Sequence, residues 1–258
     1  MRHVNIAIAI LAAVPAIAAA QSDFNWTGTL SPGQTLEIKG VNGSIHAELA
    51  AGQTISVSAT KTAEKSDPAS VQIEVVPTSE GVTICAVYPS DGARPNTCEQ
   101  GHGGHSSTRD NDVVVDFTVK VPANVRFAPK TVNGAIVATG LRSDVDATNV
   151  NGNVTVSTTG LAHATSVNGS LQVKMGASSW ASPLKFTTVN GSIDLTLPTG
   201  VNADVHATSV NGTLASDFPM TVSGRMERRN MTATIGGGGS KLEFTTVNGT
   251  ITLHQGAI

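Results

Sequence analysis

The sequence predicts an all-β protein, a single-stranded β-solenoid (β-helix-like) array of Val-Asn-Gly repeats with a strand-rich N-terminal elaboration. Three observations carry this. The tripeptide Val-Asn-Gly occurs seven times, with central intervals of 18, 17, 22 and 21 residues and outer intervals of 91 and 37. Repetition at about 20 residues is the mark of a stacked architecture. Each copy is flanked by residues alternating between apolar and polar, the period of a half-buried strand. The composition holds 40% hydrophobic but only 14% charged residues and nine aromatics, which excludes coiled coils and charged disordered tails. A β-meander of Asn-Gly hairpins is the competing fold, because Asn-Gly is also a strong hairpin signal. Stacked turns are favoured because a meander needs no identical turn at every second connection.

Taken in order, residues 1–20 read as a signal peptide. Met1-Arg2-His3 is a basic start, Val4 to Val14 an apolar run too short to span a bilayer, and Ala18-Ala19-Ala20 a cleavage site. Residues 21–258 then form one domain. Its part 23–125 is strand-rich, with Val71 to Val76, Val82 to Tyr88 and Val113 to Val121 as strands and residues 60–70 and 89–111 as loops. Cys85 and Cys98 bracket a turn-rich loop, and in an oxidising compartment such a pair predicts a disulfide. The alternative, a metal held by Cys85, Cys98, His102 and His105, lacks the paired spacing of common zinc sites. Neither a metal nor a cofactor is expected.

Residues 126–258 hold the regular repeats, interrupted by an insertion at 215–240 containing Arg225, Arg228 and Arg229. The corners are Asn42-Gly43, Asn133-Gly134, Asn151-Gly152, Asn168-Gly169, Asn190-Gly191, Asn211-Gly212 and Asn248-Gly249. In stacked coils the Asn side chains can form a hydrogen-bonded ladder, with Gly supplying a left-handed corner. Four positions after each Val lies an aliphatic: Ile45, Ile136, Val154, Leu171, Ile193, Leu214 and Ile251.

No residue set reads as a reaction centre. The acids are scattered, no Gly-x-Ser-x-Gly elbow occurs, and Gly236 to Lys241 lacks the phosphate-loop pattern and its helix. A formal charge of −3 argues against nucleic acid as a partner. Trp26 and Trp180 suit either sugar stacking or burial at the ends of the array. Counting four back from the repeat Val places Asp146, His163, Lys185 and His206 in one column on consecutive coils, beside a threonine column. This is a candidate binding face for an extended polymer or another sheet, and the arginines of the insertion are a second candidate.

The segments Val82-Thr83-Ile84-Cys85-Ala86-Val87-Tyr88-Pro89, Asp110-Asn111-Asp112-Val113 and Phe117-Thr118-Val119 resemble the bacterial DUF4097 family of candidate adhesins. So do the Val-Asn-Gly units and the Gly-rich run before Leu242 to Gly249. The resemblance covers about residues 30 to 255. It implies a β-solenoid-like envelope protein and brings no catalytic residues. The expectation is a non-enzymatic exported protein, periplasmic, at the cell surface or secreted, without an integral membrane span. It would act as an adhesin or scaffold on an envelope or surface partner, glycan or protein. The alternative is a β-helix-type carbohydrate-active enzyme acting on an envelope or extracellular polysaccharide.

Overall fold

The computed structural model describes residues 24–256 except 91, 93, 102–105 and 224–229. Residues 1–20, for which the sequence predicts a signal peptide, and His102, His105, Arg225, Arg228 and Arg229 therefore lie outside the described residues. The N-terminal strands are β1 (Phe24–Gly28), β2 (Thr35–Lys39), β3 (Ile45–Leu49), β4 (Ile55–Thr62), β5 (Gln72–Thr78), β6 (Gly81–Val87) and β7 (Val114–Val121). Then follow β8 (Arg126–Asn133), β9 (Ile136–Leu141), β10 (Val145–Asn151), β11 (Val154–Thr158), β12 (Ala162–Thr165), β13 (Leu171–Met175), β14 (Leu184–Thr187) and β15 (Ile193–Leu197). The last are β16 (Ala203–Asn211), β17 (Leu214–Ser216), β18 (Met220–Val222), β19 (Asn230–Ile235), β20 (Ser240–Asn248) and β21 (Ile251–Gln255). The one helical element among the described residues is a 3-10 turn at Pro68–Ser70, capped by the Asp67 carboxylate accepting from Ala69 N–H.

The strands form two sheets. Sheet A runs β1-β4-β7-β3-β9-β11-β13-β15-β21-β17, and sheet B runs β18-β19-β16-β20-β14-β12-β10-β8-β2-β6-β5. The strands before and after each Asn-Gly corner lie in different sheets. Each pairs in parallel with its equivalent in the neighbouring unit, as in Asp146 beside His163 and Thr155 beside Gln172. Hairpins at these corners would instead pair the flanking strands antiparallel in one sheet. Antiparallel strands occur at the ends of the array, where β4, β1 and β5 cap one end and β19 and β18 the other.

The order of the units departs from the order of the sequence. The unit of Asn248 lies between those of Asn190 and Asn211: β20 pairs with both β14 and β16, and β21 with both β15 and β17. The stacking order of the corners is thus Asn42, Asn133, Asn151, Asn168, Asn190, Asn248, Asn211.

The core is the space between the sheets. Alternation delivers every second side chain to it: Leu36, Phe127, Val145, Ala162, Leu184, Leu242 and Val205 from sheet B all fall within 2% exposure. Phe186 and Phe244, on paired strands, stack at 5.5 Å between centroids, contributing about 0.5–1.5 kcal/mol beyond their burial. Trp180 is buried and donates its indole N–H to Lys241 O at 2.8 Å, so it closes the core over β14 and β20 and offers no ring for sugar stacking. The Tyr88 hydroxyl donates to Val113 O at 2.7 Å beneath the N-terminal strands, and burial pushes the phenol up to about 12.

Candidate functional site

The site is assembled at the corners. The seven asparagines form a one-way ladder in which each Nδ2 donates to the Oδ1 of the preceding unit. The links are Asn133 to Asn42, Asn151 to Asn133, Asn168 to Asn151, Asn190 to Asn168, Asn248 to Asn190 and Asn211 to Asn248, all at 2.7–2.9 Å. Backbone bonds run alongside, for example Gly169 N–H to Asn190 O at 3.0 Å.

The reason for glycine differs from the sequence expectation. Only Gly43, Gly134 and Gly152 of the corner glycines have φ in the left-handed region. The common requirement is close approach, since a β-carbon at Gly191 would lie 2.2 Å from Gly169 O and one at Gly249 would lie 1.9 Å from Gly191 O.

A second column, unmarked by the sequence reading, secures the same carbonyls. In six of the seven repeats, all but that of Val41, the residue before the repeat Val is buried and donates to a glycine carbonyl of the stack. Thr131 Oγ1 reaches Gly43 O (3.0 Å), Thr188 Oγ1 reaches Gly169 O (2.8 Å) and Thr246 Oγ1 reaches Gly191 O (3.0 Å). Ser166, Ser209 and Asn149 do the same for Gly152, Gly249 and Gly134. The signal was available, because these positions fall on the inward phase of the alternation yet are all polar.

These ladders fix the outer face of sheet B. Its charged column reads Glu37, Ala128, Asp146, His163, Lys185, Glu243, His206 along the stack. Asp146, His163 and Lys185 stand on consecutive rungs. His206 does not follow Lys185, because the inserted unit puts Glu243 between them, 3.4 Å from Lys185 Nζ. His163 Nδ1 accepts from Lys185 N–H at 3.3 Å, and His206 Nδ1 lies 3.3 Å from Thr232 Oγ1 on β19. Thr148, Thr165, Thr187, Thr245 and Thr208 form the adjoining column.

A hollow of about 390 Å³ opens on this face, lined by Arg126, Asp144, Asp146, His163 and Ser182 among others. Asp144 accepts Leu161 N–H at 3.0 Å, which ties one of the hollow's two carboxylates to the backbone. Among the described residues no three His, Cys, Asp or Glu side chains converge as a metal-binding group.

Towards β6 the face ends in a charged clasp. The buried Glu37 carboxylate accepts from Lys130 Nζ (2.8 Å), Thr83 Oγ1 (3.0 Å) and Gly101 N–H (3.0 Å). Lys130 also donates to Gly101 O at 2.8 Å, and Lys39 Nζ donates to Glu99 O. Desolvation by burial lowers the Lys39 pKa, with the Glu37 charge opposing it and the Lys130 charge adding to it. The segment so held follows the disulfide between Cys85 and Cys98, whose Cα atoms are 5.7 Å apart. Sulfurs joined to each other are not thiolate ligands, which removes them from the four-ligand alternative. A cleft of about 340 Å³ lies between this loop and the sheet, floored by Val41, Val87, Val132 and Val150.

The chain belongs to the Toastrack DUF4097 family, whose model matches residues 125–254. Among solved structures it is similar to a candidate cell adhesion protein of Clostridium sporogenes, at 10% identity over 90% of this chain and 99% of that one, with a TM-score of 0.46. It is also similar to candidate adhesins of Bacteroides fragilis (12% identity, 89% and 96% covered, TM-score 0.26) and Parabacteroides distasonis (12%, 89% and 96%, 0.24). Comparison with curated proteins finds no match. No helix of the described residues is long and apolar enough to cross a membrane.

Proposed function

We propose that the protein is an exported, non-enzymatic envelope or surface protein, an adhesin or scaffold that binds an extended glycan or protein through the outer face of sheet B. In this reading residues 1–20 direct export, and residues 21–258 form one β-solenoid domain with its last units exchanged in order. The observation that carries the reading is the set of corner ladders. They hold Asp146, His163, Lys185, Glu243 and His206 beside the threonine column at the sheet spacing of about 4.8 Å. Such a surface presents donors, acceptors and both signs of charge at a constant repeat, which suits a ligand that is itself repetitive. The catalytic alternative needs two working carboxylates flanking a bond, for which the hollow would offer Asp144 and Asp146.

The test is retention of the protein on envelope extracts and a panel of immobilised bacterial glycans. The combined substitution His163→Thr, Lys185→Thr and His206→Thr is expected to lower retention at least tenfold with an unchanged circular dichroism spectrum. Equal retention of the variant would overturn the assignment of this face. Release of new reducing ends from a retained glycan would favour the enzyme instead.

A further inference from the structure

Strand β17 is an edge strand of sheet A with none of its residues fully buried, and the two sheets end at different depths beside it. Beyond β16 sheet B continues through β19 and β18, whereas sheet A stops at β17. The inward column Ile45, Ile136, Val154, Leu171, Ile193 and Ile251 is fully buried, yet Leu214 at the same position is only partly buried.

Directly paired residues share a face of a sheet. Met231 and Ala233 oppose the inward Ala207 and Val205, while Met220 and Val222 continue that face on β18. Met220, Val222 and Met231 therefore form an apolar shelf facing the space that sheet A leaves open, and Val222 is 39% exposed.

The backbone beside this shelf is the edge of sheet A among the described residues. Thr213 O and Asp217 N–H bond to β21 at 2.9 Å, so the alternate residues Leu214 and Ser216 turn their peptide groups to the open side. Among the described residues no strand pairs with them there. At the adjoining corner, Asn211 Oδ1 is the one ladder oxygen to which no other ladder asparagine donates.

We infer that this edge and shelf receive an extended peptide segment of a partner protein as an added strand of sheet A. The segment carries an asparagine to extend the ladder and aliphatic residues at alternate positions to cover the shelf. Strand addition supplies affinity through main-chain bonds and selectivity through alternate side chains. A second copy does not fit the same place. Two copies joined through β17 would bring both two-strand overhangs of sheet B, each about 10 Å deep, into one volume.

The probe is a fluorescent peptide with the sequence of residues 247–255, Val-Asn-Gly-Thr-Ile-Thr-Leu-His-Gln, titrated with the whole protein and followed by anisotropy. Saturable binding is expected, with new hydrogen-exchange protection at the Leu214 and Ser216 amides. Val222→Lys, at a partly exposed position, is expected to weaken binding at least tenfold with its melting temperature within 2 °C of the parent, an order-of-magnitude bound for a surface change. Ser216→Pro removes an open-side donor and is expected to do the same; if it does not fold, Val222→Lys decides alone. The inference is overturned by non-saturable binding, by protection at β1 or β5 instead, or by a dimer in sedimentation that Val222→Lys dissolves.

Discussion

Gly169 stacks so closely on Gly152 that a β-carbon at position 169 would sit 1.9 Å from the Gly152 carbonyl oxygen. That contact is backbone on backbone, and no rotamer change relieves it. Gly169→Ala is therefore expected to destabilise the protein by about 1–3 kcal/mol, as overpacking does. Thr155→Ser on the outer face should stay within about 0.5 kcal/mol. Thermal unfolding checks this, at about 2–4 °C per kcal/mol for a chain of this size. Equal melting temperatures for the two variants would refute the packing role of the corner.

Asn168 donates to Asn151 Oδ1 and accepts from Asn190 Nδ2, each at 2.8 Å. Asn168→Asp keeps the acceptor and turns a carboxylate oxygen towards the Asn151 oxygen. The charged form is disfavoured in the folded state, which raises the new carboxyl above its unfolded pKa near 3.9. Its protonated form should thus be the better tolerated one. The loss, about 0.5–1.5 kcal/mol at neutral pH, is expected to shrink as pH falls through the raised folded value towards 3.9. Denaturant midpoints of parent and variant at pH 7 and pH 4 measure it, and a pH-independent difference would contradict the ladder.

Lys130 Nζ lies 2.8 Å from the buried Glu37 carboxylate, with Lys39 as a second positive charge in its field. Removing one partner of a buried pair leaves an uncompensated charge, at a cost of about 3–5 kcal/mol. Lys130→Met should therefore destabilise strongly, and the pairing of Glu37→Gln with Lys130→Met should recover most of the loss. A double-mutant cycle in urea reads the coupling, and strict additivity would show that the clasp is not energetically linked.

The Asp112 carboxylate accepts N–H bonds from Ser66, Lys65 and Glu64 at 2.8–3.1 Å. The Ser66 backbone bond, then the Ser66 side chain, with the Lys65 and Glu64 N–H groups adding to them, together hold its pKa at about 2 against the opposing desolvation. A depressed carboxyl stabilises the fold above its unfolded value near 3.8 and ceases to do so as pH falls through about 2. Carboxyl NMR titration should give an apparent value near 2, with the Ser66, Lys65 and Glu64 amides shifting together. An ordinary carboxyl value would mean the loop does not wrap Asp112 in solution.

Strand identity was legible in the sequence because it is local. The alternation around Ile45-His46-Ala47 or Leu171-Gln172-Val173 and the Asn-Gly corner are written within ten residues. Stacking order was not legible, because equivalent strands are interchangeable in pattern. Phe244 and Ala207 both sit three before a repeat Val, and nothing nearby records that Phe244 is the one to meet Phe186. For the same reason the sequence makes Asp146, His163 and Lys185 successive rungs, as the strand pairing does, but sets His206 next to Lys185 where the fold puts Glu243. The clasp at Glu37 was hidden too, since its partners lie 46, 64 and 93 positions away and only the fold unites them.

The exchanged position of the Asn248 unit makes β20 and β21 a keystone. In a stack that follows chain order each unit could close on the one just made, and the array would zip from either end. Here β16 and β17 have no parallel neighbours until the residues that follow them return and wedge between them and β14 and β15. Everything after β15 must therefore settle as one cooperative block, with loops of up to 58 residues closed in a single event. A repeat array with nearest-neighbour contacts is thereby given the all-or-none behaviour of a globular domain at this end.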